Sequence, residues 1–196
     1  NIYGASKLAS DKIFIAGNHL AANIKSRFAV VRYGNVVGSR GSLYWILKEA
    51  IKNKSNTIPV TDKRMTRFWI GLEQGVEFVL SSLEDMDGGE IYIPKIPSMK
   101  VIDFINGICP NKKIVEIGIR PGEKLHEIMI TKDDARYTYD CNDKYIIEPH
   151  IHGWDDKRLE KKRINGKKVN DNFEYASDIN KKWLKQSELS VMIKKL

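Results

Sequence analysis

The chain has very little cysteine, which restricts how it can be stabilised. Cys109 and Cys141 are the two cysteines among 196 residues, and they lie far apart in the sequence. Neither has a histidine or a second cysteine at metal-ligand spacing, so the sequence predicts no disulfide framework and no metal site. We therefore expect a protein of the reducing cytoplasm.

Long apolar runs are also missing. No stretch approaches the ~20 apolar residues that a membrane-spanning helix needs. The chain opens at Asn1 on a helical pattern, without the basic and then apolar leader of a secretory signal. We expect no membrane span and no membrane partner, and the absence of an initiator methionine indicates a truncated chain.

Negative charge is in deficit, because 33 lysines and arginines stand against 25 aspartates and glutamates, a formal net charge of +8. Such an excess suits nucleic acid, an anionic membrane surface or small anionic ligands such as nucleotide diphosphates. Much of it lies in the late segments 157–168 and 181–195, which have the composition of a solvated surface. Because no nucleic-acid-binding motif accompanies the charge, we expect no nucleic-acid partner.

Helical and strand patterns alternate along the chain without an internal repeat. Apolar periodicity predicts helices over residues 3–25, 43–52, 72–83, 99–108 and 187–194, and a further helix beginning near Gly122. Short β-branched or alternating runs predict strands over residues 28–31, 57–60, 68–70, 90–94, 113–117, 137–139 and 144–147. This alternation is typical of an α/β protein, in which ligands bind at the carboxyl ends of parallel strands.

Tyr3 and Lys7 form the first candidate site. They are four residues apart, so they lie on the same face of the predicted first helix, one turn from each other. A lysine cation beside a tyrosine favours the phenolate and lowers its pKa from about 10 towards neutrality, where the phenol can exchange protons. The spacing is equally that of an ordinary surface pair, so it leaves both interpretations open.

The loop at residues 32–42 is the second candidate. It combines the Asn35 amide and the Arg40 guanidinium with glycines that let backbone approach a ligand closely. Such a loop suits a diphosphate. The alternative is a tight turn after a core strand, with Arg40 in solvent.

The third candidate is the segment from Arg120 to His126. Arg120 can hold a phosphate with two hydrogen bonds, and Glu123 can accept hydrogen bonds from ribose hydroxyls. The alternative is that Glu123 caps the start of a helix. His126 has no acid or nucleophile near it in sequence, and we interpret it as structural.

Together these motifs resemble the short-chain dehydrogenase/reductase superfamily in its extended form. The similar segments lie between positions 3 and 180 and read YGASK, RYGNVVGSRGS, PVTDKRMTRFWI, GGEIYIPKIPSMK, IRPGEKLHE and FEYASDIN. They are most similar to the inverting UDP-N-acetylglucosamine 4,6-dehydratases, which are NADP-dependent and begin pseudaminic acid synthesis for flagellin glycosylation. The resemblance implies the C-terminal part of an NAD(P)-binding Rossmann-type fold with a smaller substrate-binding lobe.

The resemblance also implies a role for each candidate residue. Tyr3 assists hydride transfer at a sugar hydroxyl, Lys7 holds the nicotinamide ribose, and Val36 lies against the nicotinamide. The residues implied to contact the UDP-sugar are Asn35, Arg40, Arg120 and Glu123, and Arg67 is a possible further diphosphate ligand.

A division of the chain follows from the same resemblance. Residues 1–56 and 72–94 are expected to belong to the dinucleotide-binding domain, and residues 57–71 and 95–196 mainly to the substrate-binding lobe. The Gly-x-Gly-x-x-Gly fingerprint does not occur in the chain. The resemblance also implies a catalytic aspartate and lysine upstream of these motifs, and that segment is absent from the chain.

We therefore expect a fragment that is inactive alone and belongs to a homo-oligomeric enzyme. Two alternatives stay open: a UDP-hexose 4-epimerase, and a sugar-nucleotide-binding fragment without catalysis of its own.

Overall fold

The computed structural model describes residues 2–20, 26–149 and 165–196, except for the side chains of Tyr3 and His19. The chain divides into two compact units. The first unit consists of Asn1–Arg32, Glu77–Lys95 and Met129–Glu174, and the second of Tyr33–Val76, Ile96–Ile128 and Tyr175–Leu196.

The described residues form helices and short strands in alternation. The helices are α1 (Ile2–Leu20), α2 (Leu43–Lys52), α3 (Leu72–Asp85), α4 (Val101–Ile108), α5 (Lys132–Ala135) and α6 (Gln186–Lys194). The strands are β1 (Val30–Val31), β2 (Asn35–Val36), β3 (Thr57–Val60), β4 (Thr66–Ile70), β5 (Ile91–Pro94), β6 (Ser98–Lys100), β7 (Lys113–Glu116), β8 (Ile128–Ile130), β9 (Thr138–Cys141), β10 (Lys144–Ile147), β11 (Lys167–Lys168) and β12 (Tyr175–Ala176).

A mixed five-stranded sheet forms the centre of the first unit, in the order β1-β5-β10-β9-β11. β1 and β5 are parallel, with Val30 opposite Ile91, whereas β10 is antiparallel to both of its neighbours. Every residue of β5 is buried, as expected of a strand that is covered on both faces. The apolar sequence Ile-Tyr-Ile-Pro therefore places β5 in the interior of this unit.

The second unit contains two small sheets and the helices α2, α4 and α6. β2 is parallel to β4, and β4 is antiparallel to β6; β3 and β7 form a separate parallel pair. α4 packs against α2 and α6. The rings of Trp69 and Phe104 stack in the core with their centroids 4.0 Å apart.

Most of the predicted elements are confirmed. The helix at 43–52 and the strands at 57–60 and 144–147 have the bounds that the sequence pattern gave. The first helix is confirmed as far as Leu20, and the predicted positions 21–25 lie outside the described residues. The alternation of α and β elements confirms the predicted α/β class.

The helix predicted near Gly122 is wrong. Gly122 has a φ of +75°, which only glycine adopts readily, and the chain turns there instead of entering a helix. The Glu123 backbone N–H donates to the Arg120 carbonyl at 3.0 Å, and the chain then continues to β8. A left-handed glycine directly after proline therefore overrides the helical period of the residues that follow.

Gly34 tests how closely β2 and β4 pack. A Cβ at this position would lie 2.5 Å from the Phe68 Cβ and 2.6 Å from its carbonyl oxygen, which is too close for any side chain. We expect Gly34→Ala to lower the free energy of unfolding by about 1–3 kcal/mol, because the backbone of β4 must move. Urea unfolding measures the change.

Gly75→Ala is the matched control. Gly75 lies within α3, and a Cβ there would meet nothing within 4 Å. Alanine favours a helix over glycine, so this variant is expected to stabilise the protein by about 0.5–1 kcal/mol. Equal effects of the two variants would contradict the close packing at Gly34.

Candidate functional site

Helix α1 carries Tyr3 and Lys7 on one face. Lys7 is exposed, whereas the side chain of Tyr3 lies outside the described residues. Asp11 follows Lys7 by one further turn on the same face. The backbone therefore provides the predicted one-turn spacing between positions 3 and 7, and the chemical roles of the two residues stay a prediction.

Arg32 fixes this helix face within the first unit. The Arg32 Nε donates to the Asp11 Oδ2 at 2.7 Å, and its Nη1 donates to the Met129 carbonyl at 2.9 Å and to the Asp134 Oδ2 at 3.2 Å. Because all three charged side chains are largely buried, these contacts hold α1 beside the end of β1. Sequence reasoning missed this role, although Asp11 stands four residues after Lys7.

The glycine-rich loop lies in the second unit. Asn35 and Val36 form β2 and are half-buried. Gly38 and Gly41 have φ values of +80° and +71°, so the chain turns twice before α2 begins. Arg40 is exposed between these turns.

Glu127 connects three of the sequence motifs in the second unit. Its carboxylate accepts hydrogen bonds from the Asn35 Nδ2 at 2.9 and 3.1 Å and from the Phe68 backbone N–H at 3.0 Å. The Arg67 Nε lies 3.7 Å from the same carboxylate. Glu127 was not among the predicted site residues, although it is the last residue of the segment IRPGEKLHE, which carries part of the resemblance.

The Arg67 guanidinium donates hydrogen bonds to backbone carbonyls of the second unit. Its Nη1 donates to the Thr66 carbonyl at 2.7 Å and to the Leu125 carbonyl at 2.9 Å. These bonds hold the chain after residue 124 against β4. The suggestion that Arg67 is a diphosphate ligand stays a prediction.

Arg120 and Glu123 are joined by a turn. The Glu123 Oε2 accepts a hydrogen bond from the Arg120 backbone N–H at 3.2 Å, and its Oε1 accepts one from the Thr61 hydroxyl at 3.1 Å. The Arg120 side chain is exposed. The structure thus brings these two predicted residues together, and the helix-capping alternative for Glu123 is wrong because no helix begins there.

Two buried hydroxyl groups, of Thr66 and Ser177, hydrogen-bond to each other, and that of Ser177 also bonds to the backbone of Glu127. The Thr66 Oγ1 lies 2.8 Å from the His126 Nδ1 and 2.7 Å from the Ser177 Oγ, which accepts from the Glu127 backbone N–H at 2.9 Å. The His126 Nε2 lies 4.0 Å from the Asp178 Oδ2. His126 therefore does have an acid near it, which comes from a segment distant in sequence.

Asp62 forms a compact charged turn with Arg64. The Asp62 carboxylate is buried and accepts hydrogen bonds from the Arg64 Nη2 at 2.7 Å, from its Nε and from its backbone N–H. The hydrogen bonds from the Arg64 side chain make the largest contribution and that from its backbone N–H the next; together they lower the pKa of Asp62 to about 2. The turn leads from β3 into β4.

Neither a metal-binding group of side chains nor a membrane-spanning helix is found in the part of the chain that the structure describes. No group of three or more histidine, cysteine, aspartate or glutamate side chains is arranged to hold a metal ion there. In the same residues, no helix is both long enough and apolar enough to span a bilayer.

Comparison with known proteins agrees with the fold and the motifs. The profile of the polysaccharide biosynthesis protein family matches residues 1–149. This chain therefore belongs to that family. Its fold is that of part of an extended short-chain dehydrogenase/reductase, as predicted.

Two of the similar proteins are nucleotide-sugar enzymes. The chain is 52% identical over 196 residues to the inverting UDP-N-acetylglucosamine 4,6-dehydratase of Campylobacter jejuni, covering 98% of this chain and 59% of that protein. It is 33% identical over 151 residues to the UDP-glucose 4-epimerase of Rickettsia bellii, covering 75% of this chain and 44% of that enzyme. The resemblance to the dehydratases that the motifs indicated is thereby confirmed.

A solved structure has a similar fold. The X-ray structure of Pen from Bacillus thuringiensis matches with a TM-score of 0.84 and 30% identity, covering 100% of this chain and 58% of Pen. The chain thus spans somewhat more than half the length of Pen and of the Campylobacter dehydratase.

The Arg32 contacts predict a large loss of stability when the guanidinium is replaced by an uncharged side chain. Arg32→Met leaves two largely buried carboxylates without their cation, so we expect the free energy of unfolding to fall by about 3 kcal/mol. Arg27→Met is the matched control: its pair with Asp87 is 57% and 43% exposed, so the loss should stay below about 1 kcal/mol. Equal losses in urea unfolding would contradict the role of Arg32.

Asp62 predicts a pH dependence of stability. Its pKa falls from 3.8 to about 2 on folding, so its contribution is full above about pH 4 and is lost as the pH falls to about 2. We expect the stability difference between the wild type and Asp62→Asn to shrink over this range. Thermal unfolding from pH 5 down to about pH 2 measures it, and a constant difference would contradict the assignment.

Proposed function

We propose that the complete protein is a UDP-N-acetylglucosamine 4,6-dehydratase that inverts carbon five, uses NADP and performs the first step of pseudaminic acid synthesis. The observation that carries the proposal is the 52% identity to the Campylobacter dehydratase across 98% of this chain. The epimerase match is less similar and covers less of the chain. In this proposal the product serves flagellin glycosylation.

The first unit supplies the Tyr3–Lys7 pair. The face of α1 fits a nicotinamide ribose in its chemistry, since Lys7 presents an exposed ammonium that can bond vicinal hydroxyls. The fingerprint glycines that would hold the pyrophosphate do not occur in this chain. Lys7 and Val36 are thus the cofactor contacts that this chain would provide, together with Tyr3.

The chemistry begins at carbon four of the sugar. Tyr3, favoured as phenolate by Lys7, takes the proton of the 4-hydroxyl group while that carbon becomes a ketone. NADP, which Tyr3, Lys7 and Val36 would hold at its nicotinamide end, would supply hydride transfer to and from the sugar. The ketone acidifies carbon five, whose proton is lost as water leaves from carbon six, and carbon five then takes up a proton on its opposite face to give the inverted product. The acid and base of that elimination lie outside this chain.

The second unit supplies groups for the UDP-sugar. Arg120 and Arg40 are exposed guanidiniums that suit the negatively charged diphosphate. The half-buried Glu123 and Asn35 suit hydroxyl or amide groups of the nucleotide and the sugar. In this proposal residues 1–56 and 72–94 serve the dinucleotide, and residues 57–71 and 95–196 mainly serve the substrate.

The cellular context belongs to the same proposal. We place the complete enzyme in the cytoplasm, where UDP-sugars are made and where a protein with so few cysteines keeps free thiols. We also propose that it is a homo-oligomer. Size measurement of the complete protein in solution tests this last point, and a monomer would contradict it.

The direct test follows the sugar by NMR. The complete protein is incubated with UDP-N-acetylglucosamine in deuterated water, and deuterium at carbon five with loss of water is monitored. A 4-keto-6-deoxy product supports the dehydratase, whereas a sugar changed only at carbon four would identify an epimerase. An unchanged sugar would favour binding without catalysis.

Tyr3→Phe tests the proton transfer. Phenylalanine keeps the ring and removes the hydroxyl, so we expect turnover to fall by about a hundredfold or more with little change in substrate affinity. Tyr137→Phe, which alters an exposed tyrosine outside the motifs, serves as the control. Unchanged turnover in Tyr3→Phe would refute the role of Tyr3.

A further inference from the structure

The side-chain amide of Asn35 has a fixed orientation. Its Nδ2 lies 3.2 Å from the Phe68 carbonyl oxygen and 2.9 and 3.1 Å from the two carboxylate oxygens of Glu127. A carbonyl and an ionised carboxylate only accept hydrogen bonds, so the nitrogen of Asn35 must face them. The opposite rotamer would place two oxygen acceptors against each other.

Glu127 itself has little freedom to turn. Its carboxylate also accepts from the Phe68 backbone N–H at 3.0 Å, and its own N–H donates to the fully buried Ser177 Oγ at 2.9 Å. Asn35 is thus held by a group that is anchored at both its carboxylate and its backbone. Rotating the amide of Asn35 would require this whole arrangement to change.

The atom of Asn35 that is left for a ligand is therefore its carbonyl oxygen. Among the described residues, none donates a hydrogen bond to this Oδ1. An amide oxygen accepts hydrogen bonds from hydroxyl or N–H groups and repels phosphate oxygens, which are themselves acceptors. The neighbouring Glu127 carboxylate adds to that repulsion.

We infer that Asn35 recognises a hydrogen-bond donor of the substrate, a hydroxyl or an amide N–H, and not a phosphate. Glu127 is the positioning residue that fixes this preference. The inference rests on the proposed function, because it assumes a UDP-sugar ligand, and it specifies which part of that ligand Asn35 contacts. The donor lies either on the sugar or on the nucleoside.

Glu127→Gln is the variant that tests the inference. A glutamine can turn an amide N–H towards Asn35, so the variant removes one of the two acceptors that hold the Asn35 nitrogen and weakens its fixed orientation. Affinities of the complete protein for UDP-N-acetylglucosamine, UDP and uridine are measured by calorimetry. We expect UDP-N-acetylglucosamine to bind about five- to tenfold more weakly to this variant, the range for one lost hydrogen bond.

Two further variants keep the result interpretable. Asn35→Ala removes the contact itself and should weaken the same ligands, so it replaces Glu127→Gln if that variant does not fold. Glu84→Gln removes an exposed carboxylate of α3 and should leave all three affinities unchanged. Thermal unfolding establishes that each variant is folded.

The pattern across the three ligands decides the outcome. Loss confined to UDP-N-acetylglucosamine supports a donor on the sugar, and loss for all three ligands supports a donor on the nucleoside. Equal loss for UDP-N-acetylglucosamine and UDP, with uridine unaffected, would indicate a phosphate contact and overturn the inference, as would no loss at all. A wild-type protein that bound none of them would overturn the proposed function itself.

Discussion

The arrangement of the motifs in the second unit depends on the hydrogen bonds that the Glu127 carboxylate accepts. A partly buried carboxylate loses solvation and needs donors around it, and here the donors are the Asn35 amide and the Phe68 N–H, with the Arg67 guanidinium nearby. Satisfying this one group therefore fixes β2, β4 and the segment before β8 together. Loops that carry separate sequence motifs acquire defined positions because they share one acceptor.

The first unit contains a buried group of the opposite charge, and this group is likewise surrounded by hydrogen-bonding partners. Arg32 is a largely buried guanidinium whose Nε and Nη1 donate three hydrogen bonds, to Asp11, Asp134 and the Met129 carbonyl. Since Asp11 belongs to α1, the helix that carries Tyr3 and Lys7 is fixed against β1 by charge as well as by packing. Each unit therefore contains one polar cluster that orients the residues which its motifs contribute.

The family membership gives these clusters a functional meaning. The chain covers 59% of the Campylobacter dehydratase, so a complete enzyme of that length would contain substantial further sequence. In the proposed reaction this chain contributes the tyrosine and lysine, the loop after β2 and the turn at Arg120. The polar clusters hold these groups in place without themselves taking part in bond making or breaking, which is the usual division of labour around an active site.

The helix at 43–52 and the strands at 57–60 and 144–147 could be predicted because their signals are local: periodicity, glycine turns and β-branched runs. The motifs likewise determined the family. The missed turn at Gly122 shows the limit of periodicity, because one glycine in the left-handed region outweighs the pattern after it.

Only the tertiary structure decided which polar side chains meet. The Asn35–Glu127 bond joins residues 92 apart in sequence, and the Thr66–Ser177 contact joins residues 111 apart. No local pattern encodes such partners, because they depend on how the packed core brings distant strand ends together. The sequence by itself thus determined the elements and the family, whereas long-range packing decided the geometry of the site.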